Sequence, residues 1–229
     1  FIILASIIIS YVLGKFFNVS SPLSLLIGIG NGICGASAIA GASSIIKSSE
    51  EDTVLSIAII NVIGALSIFI LPALLTFLSI MDVYDQGMII GSTIQAVGQV
   101  TAAGYILGDQ AGETATMIKM IRIVMLGPFL LLLSLFYKNK SDSTQASLMQ
   151  IPHFIIGFIL LAVLQNTGFI PLSITPVLKY LSKTFLIFAM TAIGLRVLIS
   201  SMINRGGKVF LLASVSFCIQ VFVAIQIVT

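Results

Sequence analysis

Charge is what this sequence has least of. Of 229 residues 8% are charged and 58% are hydrophobic, whereas a soluble globular domain carries roughly 25% charged residues to keep its surface solvated. A domain of this size still exposes much of its surface, so a water-soluble fold is excluded. Cysteine is scarce too: Cys34 and Cys218 lie far apart in apolar runs. No disulfide framework and no CxxC metal spacing exists. The one histidine, His153, follows Pro152 and reads as interfacial rather than catalytic. HExxH, GxSxG, P-loop and paired His/Cys patterns are missing, and the eight acidic residues fall almost wholly in loops. These absences argue against an enzyme, a bound cofactor and a metal site. A net charge of +3 is too small for a nucleic-acid partner, and the eleven Lys and Arg fall at the ends of apolar runs.

What remains is apolar sequence of membrane-spanning length. A helix needs about 20 residues to cross about 30 Å of hydrocarbon. Eight segments fit: Phe1 to Phe17, Leu23 to Ile46, Val54 to Ile80, Met88 to Leu107, Met117 to Tyr137, Phe154 to Ile170, Leu178 to Ile199 and Val209 to Val228. The fold class expected is all-α, a polytopic membrane helical bundle of one domain over residues 1–229, with the lipid bilayer as its solvent. Phe1 opens inside an apolar run without an initiator Met, which reads as a fragment missing N-terminal helices. Lys138 with Lys140, and Arg205 with Lys208, form the most basic loops, while the loop at Asp82 and Asp85 has no basic residue. If every segment crosses, both basic loops share a side, the cytoplasmic one by the positive-inside rule, although Lys179 and Lys183 fall opposite.

Two segments carry too much glycine for ordinary spans. Gly28, Gly30, Gly32, Gly35 and Gly41 interleave with Asn31, Ser37 and Ser43; Gly91, Gly98 and Gly104 surround Thr93, Gln95, Gln99 and Thr101. Each interior glycine costs a helix about 1 kcal/mol relative to alanine, so both helices are expected to break, near Asn31 to Gly35 and near Gln95 to Gly98. Unwound backbone survives at membrane depth only against protein or a watery cavity. Close helix packing is the competing explanation for the glycines, but amides facing lipid are costly. Sliding the sequence by 61 positions aligns Gly30 with Gly91, Ile33 with Ile94 and Thr53 with Thr114, giving nine identities over 28–72 against roughly four from composition. Repeated interrupted helices mark secondary transporters. The spacing alone allows a parallel repeat, or an inverted one if an interrupted segment is re-entrant.

The run Gly32-Ile33-Cys34-Gly35-Ala36-Ser37-Ala38-Ile39-Ala40, followed by Lys47 and Glu50-Glu51, resembles the ICGxSAIxA motif of the YeiH family, to which sulfate export is ascribed. Ala111-Gly112-Glu113 with Ala115-Thr116 and Lys119 through Arg122 resembles that family's AGExATxxKxxR stretch, and Ala189 to Leu195 its AMxAIGL run. The resemblance covers essentially the whole chain. It implies a fold related to the cation/proton antiporter and bile-acid transporter group, with crossing discontinuous helices, an inverted repeat and further N-terminal helices. Where the family commonly carries Ile-His, this chain has Ile94-Gln95, a departure that bears on any proton-linked role there.

The function expected is a secondary transporter moving a small solute, an inorganic or small organic anion, across the bacterial inner membrane. An antiporter of another solute and an anion channel are the alternatives, a channel more often showing a repeated polar stripe or filter. The substrate-binding candidates are Asn31, Cys34, Gly35, Ser37, Gln95, Gln99, Lys119 and Arg122. Lys119 and Arg122, three apart, share a helix face near the start of their span, with Asp109 and Glu113 as counter-charges. Either they snorkel to the interface, or they draw an anion toward broken-helix N-termini. Arg196 reads as a topology anchor, and Lys47, Glu50, Glu51 and Asp52 as a solvated turn. Assembly into a homo-oligomer is left open.

Overall fold

The computed structural model describes residues 1–78, 82–137 and 199–228, with scattered positions between 157 and 188; side chains of the last helix are described from residue 206. His153, Lys138, Lys140, Lys179, Lys183, Arg196 and most of Phe154 to Ile170 and Leu178 to Ile199 lie outside the described residues. The described elements are α1 (Ile2–Phe16), α2 (Ser21–Gly32), α3 (Ala36–Ile46), α4 (Glu50–Leu78), α5 (Val83–Thr93), α6 (Val97–Ile106), α7 (Asp109–Val124), α8 (Leu126–Phe136) and α9 (Ile199–Val228). The protein is all-helical in these regions. Glu50–Leu78, Asp109–Phe136 and Gly206–Val228 are long and apolar enough to cross a membrane.

α7 and α8 meet at a turn on Met125 and form one span of 28 residues. It therefore begins at Asp109, not at Met117 as the hydropathy pattern implies, because Lys119 and Arg122 are turned inward and the polar first turns still pack. α1 inverts the usual amphipathic pattern. It buries Ser6, Ser10 and Gly14 and leaves Leu4, Ile8 and Val12 exposed, as suits a helix whose outer solvent is lipid and whose inner seam needs small residues.

Both interrupted segments break, and the breaks are related. Helix is absent at Ile33–Gly35 and again at Ile94–Ala96, so both bounds differ by the 61 positions that aligned the sequence. The first break needs glycine, because Gly35 has φ +72° and ψ −122°. The second runs through extended backbone at Ile94 (φ −65°, ψ 146°) and Ala96 (φ −91°, ψ 145°). Gly98, placed by sequence at the edge of this break, is inside α6.

The glycines report direction. Gly87 lies against Ala111 and Thr114, and Gly91 against Ala115 and Ile118, whereas Gly104 lies against Gly112 and Ala111. α5 thus runs along α7, α6 runs back against it, and both cover its first half. This segment is a re-entrant helical hairpin rather than a crossing, which corrects the reading of Met88 to Leu107 as a span. In the other segment Gly30 touches Ile39, and a Cβ on Gly30 or Gly35 would also meet Ile60. A straight pair of helices would hold positions 30 and 39 about 13 Å apart at 1.5 Å per residue, so α2 and α3 also fold back.

The two hairpins occupy opposite ends of the bundle. α2 and α3 share an apolar core with Leu55 to Ile63 of α4, Leu126 and Leu130 of α8, and Val209 to Ala213 of α9. α5 and α6 share another with Leu71 and Leu75 of α4, Ala115 of α7, and Val221 and Ala224 of α9. The first core takes the first halves of α4 and α9; the second takes their second halves. Each unit, hairpin plus one long helix, crosses the bundle once, so its successor enters inverted. The expected inverted repeat is present.

The lysines among the described residues follow this division, although Glu50, Glu51 and Asp52 open α4 at the same end as Lys47. Lys15 ends α1 beside the first core, Lys47 precedes α4, and Lys208 begins the apolar run of α9. Asp82, Asp85, Asp109 and Glu113 stand at the opposite end.

Candidate functional site

A helix end leaves its last carbonyls without partners. Here two such ends, those of α2 and α5, come together in mid-bundle, where bare carbonyls are expensive. Their satisfaction can be followed atom by atom. Ile29 and Ile90 accept from Ile33 and Ile94, the residues just past each helix, and Gly30 accepts from the Gly35 amide. The rest go to two cations of α7 and one amide of α9.

Arg122 lies near the midpoint of the α7–α8 span and is 6% exposed. Its Nε donates to Gly32 O (3.1 Å), Nη1 to Gly91 O (3.0 Å) and Ile94 O (3.1 Å), and Nη2 to Asn31 O (2.8 Å) and Gly32 O (2.7 Å). All five N–H groups of a guanidinium are thereby committed. Lys119, one turn earlier and fully buried, donates from Nζ to Ile33 O (2.6 Å) and Ile94 O (3.0 Å). Gln220 of α9 donates to Asn31 O (3.2 Å), Ser92 O (3.3 Å) and Thr93 O (3.5 Å), and accepts from Ser6 Oγ (3.3 Å). Cations at the C-terminal, negative ends of two helices are also favoured electrostatically. Neither snorkelling nor a contact to Asp109 or Glu113 describes the pair. Both heads point inward onto carbonyls, and Arg122 has no N–H left for a bidentate oxyanion contact.

The other sides of the breaks are the N-terminal, positive ends of α3 and α6, and no cation covers them among the described residues. Gly35 and Ala96 cap them. Ser37 and Gly98 are exposed, while Cys34, Ala96 and Gln99 are half-buried. Cys34 Sγ and Ser37 Oγ are 2.7 Å apart. Gln99 Oε1 accepts the Ala96 amide at 3.2 Å, and its Nε2 reaches Asn61 O at 3.5 Å. The hairpin tips are tied directly by Gln95 Nε2 donating to Asn31 Oδ1 at 2.9 Å, with Asn31 Nδ2 donating to Ala213 O at 3.4 Å. All eight candidates therefore lie at the two tips or on the cations joining them. They divide into two faces: Lys119 and Arg122 on the C-terminal face; Cys34, Gly35, Ser37 and Gln99 on the N-terminal face; Asn31 and Gln95 between.

The sequence of residues 1–213 matches the family described as conserved hypothetical protein 698. The chain belongs to this family. A membrane protein of the UPF0324 group from Agrobacterium fabrum is 37% identical over 215 residues, 94% of this chain and 62% of the relative. One from Clostridium perfringens is 31% identical over 226 residues, covering 96% and 67%. The inner membrane protein YeiH of Escherichia coli K12 is 34% identical over 206 residues, covering 89% and 59%. The chain thus spans roughly three fifths to two thirds of the length of these relatives. The resemblance to the YeiH family is borne out, and the chain is a membrane protein by its helices and by its relatives' names. No solved structure matches it.

Sequence reasoning missed Gln220 and the serines that accompany it, Ser6, Ser10 and Ser216; Ser10 and Ser216 share a 2.6 Å hydrogen bond. The signal was there. An amide such as Gln220 in the middle of the apolar run Val209 to Val228 is costly in lipid and needs a buried partner.

Proposed function

We propose that this chain is the transport core of a secondary carrier that moves a small anion across the bacterial inner membrane. One observation carries the reading: two inverted re-entrant hairpins meet tip to tip in mid-bundle, with their negative ends neutralised by Lys119 and Arg122 and their positive ends without a covering cation among the described residues. Broken helices meeting at mid-depth are the usual construction of a carrier's binding site, and paired helix N-termini favour an anion. The anion would sit against the first turns of α3 and α6, near Cys34, Ser37, Gln95 and Gln99. Lys119 and Arg122 hold the tips and supply positive field from behind. Lys15, Lys47 and Lys208 at one end support placing that end in the cytoplasm.

The test uses full-length protein in sealed proteoliposomes. Preloading with an unlabelled anion should accelerate uptake of the same labelled anion and saturate with concentration, across a panel of sulfate, sulfite, phosphate and small carboxylates. Saturable counterflow for at least one of them is the expected result. Linear flux without trans-acceleration would point to the anion channel, and no flux for any member would overturn the reading.

A further inference from the structure

The amide of Gln95 is only half used. Its side chain is 1% exposed; Nε2 is bound to Asn31, but Oε1 has no hydrogen-bond partner among the described residues. Reversing the amide does not repair this. Asn31 Oδ1 is an acceptor because Asn31 Nδ2 donates to Ala213 O, so a reversed Gln95 would set two oxygens face to face. The free oxygen is directed toward Gly64, where a Cβ would stand 2.8 Å from it and would collide with Gln99 Oε1. Two amide oxygens therefore converge where Gly64 lacks a side chain. Gln99, the third residue of α6, already accepts the Ala96 amide, and next to it Gly98 has open space where its Cβ would be.

A buried acceptor without a donor is costly, and its natural remedy is a hydrogen brought by the occupant. A metal cation is a poor occupant. Lys119 and Arg122 both bond Ile94 O, immediately before Gln95, and the positive ends of α3 and α6 lie alongside. The surroundings require negative charge, and the unpaired oxygen requires an X–H group.

We propose that the site takes an oxyanion bearing its own hydroxyl, of the hydrogen phosphate, hydrogen carbonate or hydrogen sulfite kind, in preference to the fully deprotonated sulfate. First-turn amides of α3 and α6 donate to its oxygens, and Gln95 Oε1 accepts its hydrogen. This deepens the anion-carrier reading and rests on it. It also separates the chain from a sulfate role, since sulfate at neutral pH has no hydrogen to give, and a site with an unpaired acceptor rejects an analogue that lacks the donor.

Binding is read from the anion-dependent rise in thermal unfolding midpoint of the purified full-length protein at pH 7. Hydrogen phosphate, hydrogen carbonate and hydrogen sulfite are compared with the donor-free sulfate, thiosulfate, nitrate and monofluorophosphate, the last an isostere of hydrogen phosphate. At least one donor-bearing anion should bind ten or more times tighter than every donor-free one. Gln95→Leu should narrow that gap to about twofold, and Gln95→Met, which keeps the length of the side chain without the amide oxygen, should do the same should Gln95→Leu fail to fold. Donor-free anions binding as tightly, or a gap that survives both substitutions, would overturn the proposal while leaving the carrier in place. Binding of none of the seven would overturn the proposal, and the counterflow panel with its small carboxylates decides the carrier separately.

Discussion

Arg122 can be tested as a clamp on the hairpin tips. It contacts four carbonyls, but Asn31 O also receives Gln220 and Ile94 O also receives Lys119. Only Gly32 O and Gly91 O depend on Arg122 alone. Arg122→Met would orphan both at about 1–3 kcal/mol each, so roughly 4 kcal/mol in total. Arg122→Lys keeps the charge but loses the planar fork, and one point of three donors cannot serve carbonyls on two helices as the guanidinium does. We expect it to cost about half as much. For 150–250 residues 1 kcal/mol corresponds to about 2–4 °C in melting midpoint, and the lower figure suits a longer full-length protein. Arg122→Met should then melt about 8 °C below the parent and Arg122→Lys about 4 °C below. The assay is thermal unfolding of the full-length protein in detergent, with membrane insertion checked for each variant, because a lost charge can also shift topology. Lost transport at unchanged melting temperature in both variants would refute the clamp and return Arg122 to the role of an anion ligand.

Two further outcomes follow from the breaks. Gly35→Ala should destabilise by about 1–3 kcal/mol through backbone strain at φ +72°, read as a lower melting midpoint; the space itself is adequate, since its Cβ would stand 3.4 Å from Gln95 Cβ. An unchanged midpoint would mean that the first break tolerates another backbone path. Cys34, half-buried at the N-terminal face, should react with a small maleimide, and a transported anion should slow the reaction; a thiol inert in every condition would mark it as a packing residue.

The break positions were legible because helix propensity and the buried amides point the same way. Glycine supplies the unusual backbone at Gly35, and Asn31 and Gln95 had to find partners, which proved to be each other. The 61-residue shift was legible from Gly30, Ile33 and their counterparts. The re-entrant path was not, because a hairpin and a broken crossing have the same hydropathy; the contacts of Gly87, Gly91 and Gly104 with α7 distinguish them. Those glycines serve close packing, so the competing explanation was right for Gly91 and Gly104 and wrong for Gly35. Lys119 and Arg122 were identified by residue type, but their task was not. A cation three residues from another on one helix face gives no sign that unpaired carbonyls await it from elements 25 to 91 residues away in the chain.

The odd number of crossings in each unit has an energetic consequence. Two copies related by inversion occupy comparable positions at opposite ends of the bundle, so a bend one hairpin adopts has a counterpart available to the other. If the chain is the carrier proposed above, exchanging their shapes would give a second arrangement of comparable packing, opened toward the other side. Such a near-degenerate pair needs only a small differential affinity of a solute for the two states to shift their populations. The differences between the copies, Gly35 against Ala96 and Cys34 against Gln95, then set how far the two energies depart from equality.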